Sequence, residues 1–257
     1  MNELFIPIFA LVGGILFVAS GAWVWFQNRK LLRTSYEAVW TPLEKSKVGY
    51  GFQNYIASNS EPAIALGYNS VGVHLVKEMP VAQIQSACLL HPEGQSVFQI
   101  VDAGGTRGLE IQSFLDDGSV ISSSNMDDAV TAIQKQLRCD RAAAEAFLAK
   151  RPELNSELLY SEVRMHGFLI ELYPGVTAEE LIAAHNRSVQ IVLEDPNVGL
   201  RRLTEANWRE HSLYASRYFD QIKFDLGKLD NAPAPFTFPS GELTQGDQSR
   251  NEFVARR

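Results

Sequence analysis

Leu109-Glu110-Ile111-Gln112-Ser113-Phe114 alternates apolar and polar side chains almost residue by residue. Side chains along an extended strand point to opposite faces in turn, so this stretch predicts a strand with one side on a core and one side wet. Upstream, Val97–Val101 is a second apolar run, joined to the first through Ala103-Gly104-Gly105-Thr106-Arg107-Gly108. Ser86–Leu90 lies before that and ends at His91-Pro92-Glu93-Gly94, with proline and glycine placed as in a turn. Downstream, Asp116-Asp117-Gly118 is a short-hairpin signal leading into Val120–Ser124. Four runs separated by turn residues predict an antiparallel β-meander.

Helical patterns follow. Asn125 reads as an N-cap, with Asp127 and Asp128 at the positive end of the helix dipole. Val130, Ile133, Leu137, Ala144 and Leu148 keep helical spacing, giving one long or broken helix to about Lys150. Ser156 to Tyr173 fits a helix or a strand, and its length favours the helix. Thr177-Ala178-Glu179-Glu180 is a capping-box sequence, opening a helix with Leu181, His185, Val189 and Val192 on one face. The last helix spans about Thr204 to Phe224, with Trp208, Ala215, Tyr218 and Ile222 on one side. Ahead of the meander, Ala63–Gly67 and Val71–Val76 read as strands, while Gly49, Gly51, Asn54, Asn59 and Ser60 argue for loops. The predicted class is α+β: an N-terminal transmembrane helix, then a soluble domain with the meander and several packed helices.

The transmembrane reading rests on Leu4 to Phe26, which carries no charge. As a helix it is long enough for a hydrocarbon core of about 30 Å. A cleavable signal peptide fits less well, because the start has no basic residue and Trp23-Val24-Trp25-Phe26 is not a small-residue cleavage site. Trp23 and Trp25 suit an interfacial belt, and Arg29, Lys30 and Arg33 form a basic flank. Positive charge on that side places the N-terminus outside and the rest of the chain in the cytoplasm, as a single-pass protein. Ala10, Gly13, Gly14, Ser20 and Gly21 form a small-residue stripe suited to another helix or to self-association. Glycine and alanine are also common in membrane helices for no such reason.

The organisation is then an anchor with basic flank at 1–33, a juxtamembrane connector at 34–62, a soluble domain at 63–230 and a disordered tail at 231–257. Pro233, Pro235, Pro239 and the polar Thr244–Arg250 stretch mark the tail. Net charge is -7 over 257 residues. Residues 1–33 hold three positives and one negative and the tail balances, so 34–230 carries -9. Such a domain is a poor partner for nucleic acid, where phosphate neutralisation dominates affinity.

Catalytic templates fit poorly. The glycines of 103–108 precede a predicted strand rather than a helix, so they read as a strand connection and not a phosphate loop. Ser122-Ser123-Ser124 lacks a Gly-x-Ser-x-Gly elbow, and a Ser–His pairing would need a histidine brought in by the fold. His74, His91, His166, His185 and His211 show no metal-ligand spacing, and His185 and His211 fall on apolar helix faces. The pairs Asp116-Asp117, Asp127-Asp128 and Glu179-Glu180 each have a local role, in a turn, a helix start and a capping box. Cys88 reads as a small buried hydrophobe. No catalytic, cofactor-binding or metal residue is therefore assigned. The expected partners are the lipid bilayer and other membrane proteins. The expected function is a membrane-anchored interaction or scaffolding module, with a tethered enzyme such as a hydrolase, or a ligand sensor enclosing a pocket between sheet and helix, as alternatives.

Overall fold

The alternating stretch lies at the centre of a seven-stranded sheet, in a computed structural model that describes residues 33–35, 38–77, 83–151 and 156–239. The strands are β1 (Val39–Pro42), β2 (Asn69–Lys77), β3 (Gln83–Leu90), β4 (Val97–Ala103), β5 (Thr106–Phe114), β6 (Val120–Ser124) and β7 (Phe168–Leu172). They lie side by side in chain order. Each neighbouring pair from β1 to β6 is antiparallel, and β6 with β7 is parallel. The expected meander is thus present. Gly104 and Gly105 close β4 onto β5, both with positive φ, as a two-residue hairpin of the type I′ kind demands.

Six α-helices occupy the described residues: α1 (Tyr50–Ala65), α2 (Ala129–Leu137), α3 (Arg141–Ala149), α4 (Ser156–Arg164), α5 (Ala178–Leu193) and α6 (Trp208–Asp225). Helices α1 and α5 cover one face of the sheet, where Phe52, Leu89, Phe98, Ile100, Leu109, Ile111 and Leu181 form a buried cluster. On the opposite face, Val163 of α4 and Trp208, Ala215 and Ile222 of α6 pack with Leu90, Val97, Phe114, Val120 and Phe168. Both faces of the meander are therefore covered.

Three expectations are corrected. The loops expected before Pro62, and the strand at 63–67, are instead α1, whose end is a Schellman turn. Tyr68 N–H donates to Ala63 O at 3.0 Å and Gly67 N–H to Ile64 O at 2.9 Å, with Gly67 at φ +88°. The helix expected over 156–173 stops at Arg164. Gly167 turns the chain at φ +83°, and β7 then pairs with β6, a contact between residues distant in sequence. The helix start expected at Asn125 lies at Asp128, whose carboxylate accepts from Thr131 N at 2.6 Å. Arg138, in the left-handed conformation, breaks the pattern into α2 and α3.

The capping box of α5 is formed: Glu180 N donates to Thr177 Oγ1 at 3.3 Å, and Thr177 N to Glu180 Oε2 at 2.8 Å. Thr177→Ala removes an acceptor for a helix-end amide and is expected to cost about 1 kcal/mol in urea unfolding. Of the stretch read as a tail, residues 231–239 are described, and Phe236 and Phe238 pack on Tyr214 of α6.

The anchor run 4–26, with Ala10, Gly13, Gly14, Ser20, Gly21, Trp23 and Trp25, lies outside the described residues, as do Arg29 and Lys30. No described helix is long and apolar enough to cross a membrane. Arg33 is described: it pairs with Asp230 at 2.7 Å, while Asp230 N–H donates to Arg33 O at 2.6 Å.

Candidate ligand-binding cavity

The polar side of the alternating strand does not face bulk water. It forms the floor of a cavity of about 490 Å³ beneath α4 and α6. Register explains which residues meet there. Gln99 of β4 stands opposite Glu110 of β5, and Glu110 and Gln112 stand opposite Ser124 and Ser122 of β6. All five line the cavity.

These floor groups are linked across the sheet. Ser86 Oγ donates to Gln99 Oε1 at 3.2 Å, Gln99 Nε2 to Gln112 Oε1 at 3.5 Å, and Gln112 Nε2 to Glu110 Oε1 at 2.8 Å. Ser122 Oγ donates to the same Glu110 oxygen at 2.8 Å. Glu110 Oε1 is thus doubly engaged, while Oε2 has no hydrogen bond among the described residues. Ser124 Oγ is used locally, donating to Leu109 O at 3.0 Å and accepting from Met126 N at 3.1 Å.

The walls are apolar. Phe168, Ile170 and Leu172 alternate along β7, while Ala215 and Phe219 come from α6, Tyr160 from α4 and Trp40 from β1. Burial raises the Tyr160 hydroxyl above its ordinary pKa, and the nearby Glu110 carboxylate adds to that rise. From α6, Ser212 also lines the cavity. It is buried, and its Oγ has no hydrogen-bond partner among the described residues. At the rim, Lys223 pairs with Asp220 at 2.5 Å and Ser35 Oγ donates to Asp220 at 2.7 Å. Asp127, also lining, pairs with Lys135 at 2.7 Å.

A serine and a histidine do meet, on the opposite face of the sheet. His185 Nε2 is 2.9 Å from Ser113 Oγ, and its Nδ1 is 3.0 Å from Ser123 Oγ. Ser113 gives its own proton to Gln95 O at 2.8 Å. Nε2–H must therefore donate to Ser113, and Nδ1 must accept from Ser123. Both ring nitrogens are occupied, His185 is 0 % exposed, and burial lowers its pKa to about 3. A neutral, inaccessible imidazole with both nitrogens bonded pins α5 to the sheet. It has no route to a substrate.

The other candidates resolve into structure. Burial pushes the Cys88 thiol up to about 12, so it packs rather than reacts. His74 sits between Trp40 and Trp208, and His211 against Phe114 and Phe238. Asp117 accepts from Ser119 N, and Asp128 and Glu180 cap α2 and α5. Among the described residues, no group of three His, Cys, Asp or Glu could hold a metal ion.

Glu110, Gln99 and Gln112 were missed as site residues from sequence. Their signal was long polar side chains at alternate positions on two adjacent meander strands, a costly choice for a face that a helix covers. Comparison with family models, curated proteins and solved structures finds no match to this chain.

Proposed function

We propose that this protein is a membrane-tethered, non-enzymatic binding module whose domain takes a small molecule into the cavity beneath α6. The observation that carries the reading is a 490 Å³ cavity with a hydrogen-bonding floor and apolar walls, because small-molecule sites of roughly 300–1,000 Å³ combine these two features. The buried Ser212 Oγ on α6, without a hydrogen-bond partner among the described residues, adds support as a group that a ligand would satisfy, and half-buried Glu110 leaves Oε2 for a further donor. Binding is preferred over turnover because two of the three lining acids, Asp127 and Asp220, are held in ion pairs with Lys135 and Lys223.

The tether is supported by the uncharged run Leu4–Phe26 and its basic flank. It would hold the domain at the cytoplasmic face, where confinement raises effective concentration toward membrane partners. The stripe Ala10, Gly13, Gly14, Ser20 and Gly21 would serve helix association.

The test is thermal unfolding of the full chain against mono- and bicyclic amines, amides and alcohols. A ligand at 100 times its Kd stabilises by about 2.7 kcal/mol, and at least one compound is expected to raise Tm in a saturable way. Ser216, on α6, lines the cavity, so Ser216→Trp is expected to fill the space and abolish the shift while changing unliganded Tm little. A shift that survives Ser216→Trp, or no shift with any compound, would contradict the reading.

A further inference from the structure

The charges around the cavity do not balance. Glu110, Asp127 and Asp220 line it, against Lys223 as the lining cation. Asp127 is neutralised by Lys135 and Asp220 by Lys223. Glu110 is the lining acid with no ion pair among the described residues, and it stands on the sheet, in β5. Two neutral donors, Gln112 and Ser122, share its Oε1, and Oε2 is open. A carboxylate in such surroundings gains most from a ligand that brings positive charge and N–H donors together. Tyr160, Phe219 and Trp40 also line the cavity and match a flat apolar body, and the Phe219 ring already holds a cation, Lys223 Nζ, 4.8 Å from its centroid.

We infer that the cavity selects ligands with a protonated amine or amidine head, seated on Glu110, and a flat apolar body against Tyr160 and Phe219. This rests on the small-molecule reading above. An anionic head would meet Glu110 without compensation, and a neutral alcohol would gain one hydrogen bond to the carboxylate but no opposite charge.

Three indoles of similar body separate these cases: tryptamine, tryptophol and indole-3-acetate, titrated calorimetrically into the full chain in phosphatidylcholine nanodiscs, with empty discs as blank. Tryptamine is expected to bind at least about tenfold more tightly than tryptophol, with indole-3-acetate weakest, because only the ammonium adds an opposite charge to the hydrogen bond that both can donate to the carboxylate. Glu110→Gln keeps an acceptor for Gln112 and Ser122. It is expected to weaken tryptamine about tenfold or more and tryptophol by a smaller factor, and tryptophol binding that persists reports an intact cavity. Equal binding of the three, a preference for indole-3-acetate, or tryptamine affinity unmoved in a variant that still binds tryptophol would overturn the head-group inference alone. The wild-type comparison decides the matter even if the variant does not fold. No binding by any of the three would instead count against the small-molecule reading itself.

Discussion

Trp208→Ala is expected to destabilise the protein by about 3–5 kcal/mol, the range for removing a buried tryptophan. Trp208 opens α6 and is 1 % exposed. Its ring stands edge-on to Trp40 at 5.3 Å and to His74 at 5.1 Å. It therefore ties the start of α6 to both β1 and β2, far from it in sequence. For a domain near two hundred residues the loss corresponds to a fall in Tm of roughly 6–20 °C. The cavity should suffer as well, since its roof is the same helix and Trp40 lines its wall. A double-mutant cycle with Trp40→Ala should show a coupling of about 0.5–1.5 kcal/mol beyond simple area loss. A loss below about 1 kcal/mol for Trp208→Ala would mean that α6 does not depend on this seat.

Mild acid is expected to weaken the fold through its buried histidines. His185 has an ordinary value of 6.5 when unfolded and about 3 when folded, with burial as the cause. Between those values the unfolded chain binds a proton that the folded chain refuses. Stability is complete above about 6.5 and falls by about 1.4 kcal/mol for each pH unit as pH drops below it toward 3. His74 and His211 are also lowered, chiefly by burial, so both add to the slope in the same direction. Urea unfolding at pH values from 5 to 7.5 isolates this window from most carboxylate titration. His185→Gln removes one titrating group and should flatten the slope below pH 6.5 relative to wild type. Identical slopes in the two proteins would show that His185 is not held neutral by its burial.

Features encoded locally were legible in the sequence, and features set by distant contacts were not. The capping box at Thr177 and Glu180 is a matter of four consecutive residues, and it formed as expected. The Gly104-Gly105 turn depends only on φ > 0 at two positions. Phe168–Leu172 is a short apolar run that fits helix or strand equally well, and its fate was decided by pairing with β6. In α1, the asparagines, serines and glycine argue against helix, while its own Phe52 and Ala63, buried against the sheet, outweigh them. The site follows the same division. Alternation in Leu109–Phe114 told which residues share a face, so Glu110 and Gln112 were placed together correctly. That α6 would roof the face, turning a wet surface into a partly covered floor, depends on Trp208 and Phe114 meeting in one cluster more than ninety residues apart.

Methyl-resolved NMR of the isoleucine-labelled full chain tests the cavity most directly, with tryptamine as titrant. Ile170 lines the cavity, Ile100 and Ile111 lie on the other face of the sheet, and Ile191 is exposed on α5. A saturable shift of the Ile170 signal, with Ile100, Ile111 and Ile191 unmoved, is the expected result. Shifts confined to Ile191 or spread evenly over all four, or an Ile170 signal that stays in place at saturating tryptamine, would contradict a ligand site beneath α6.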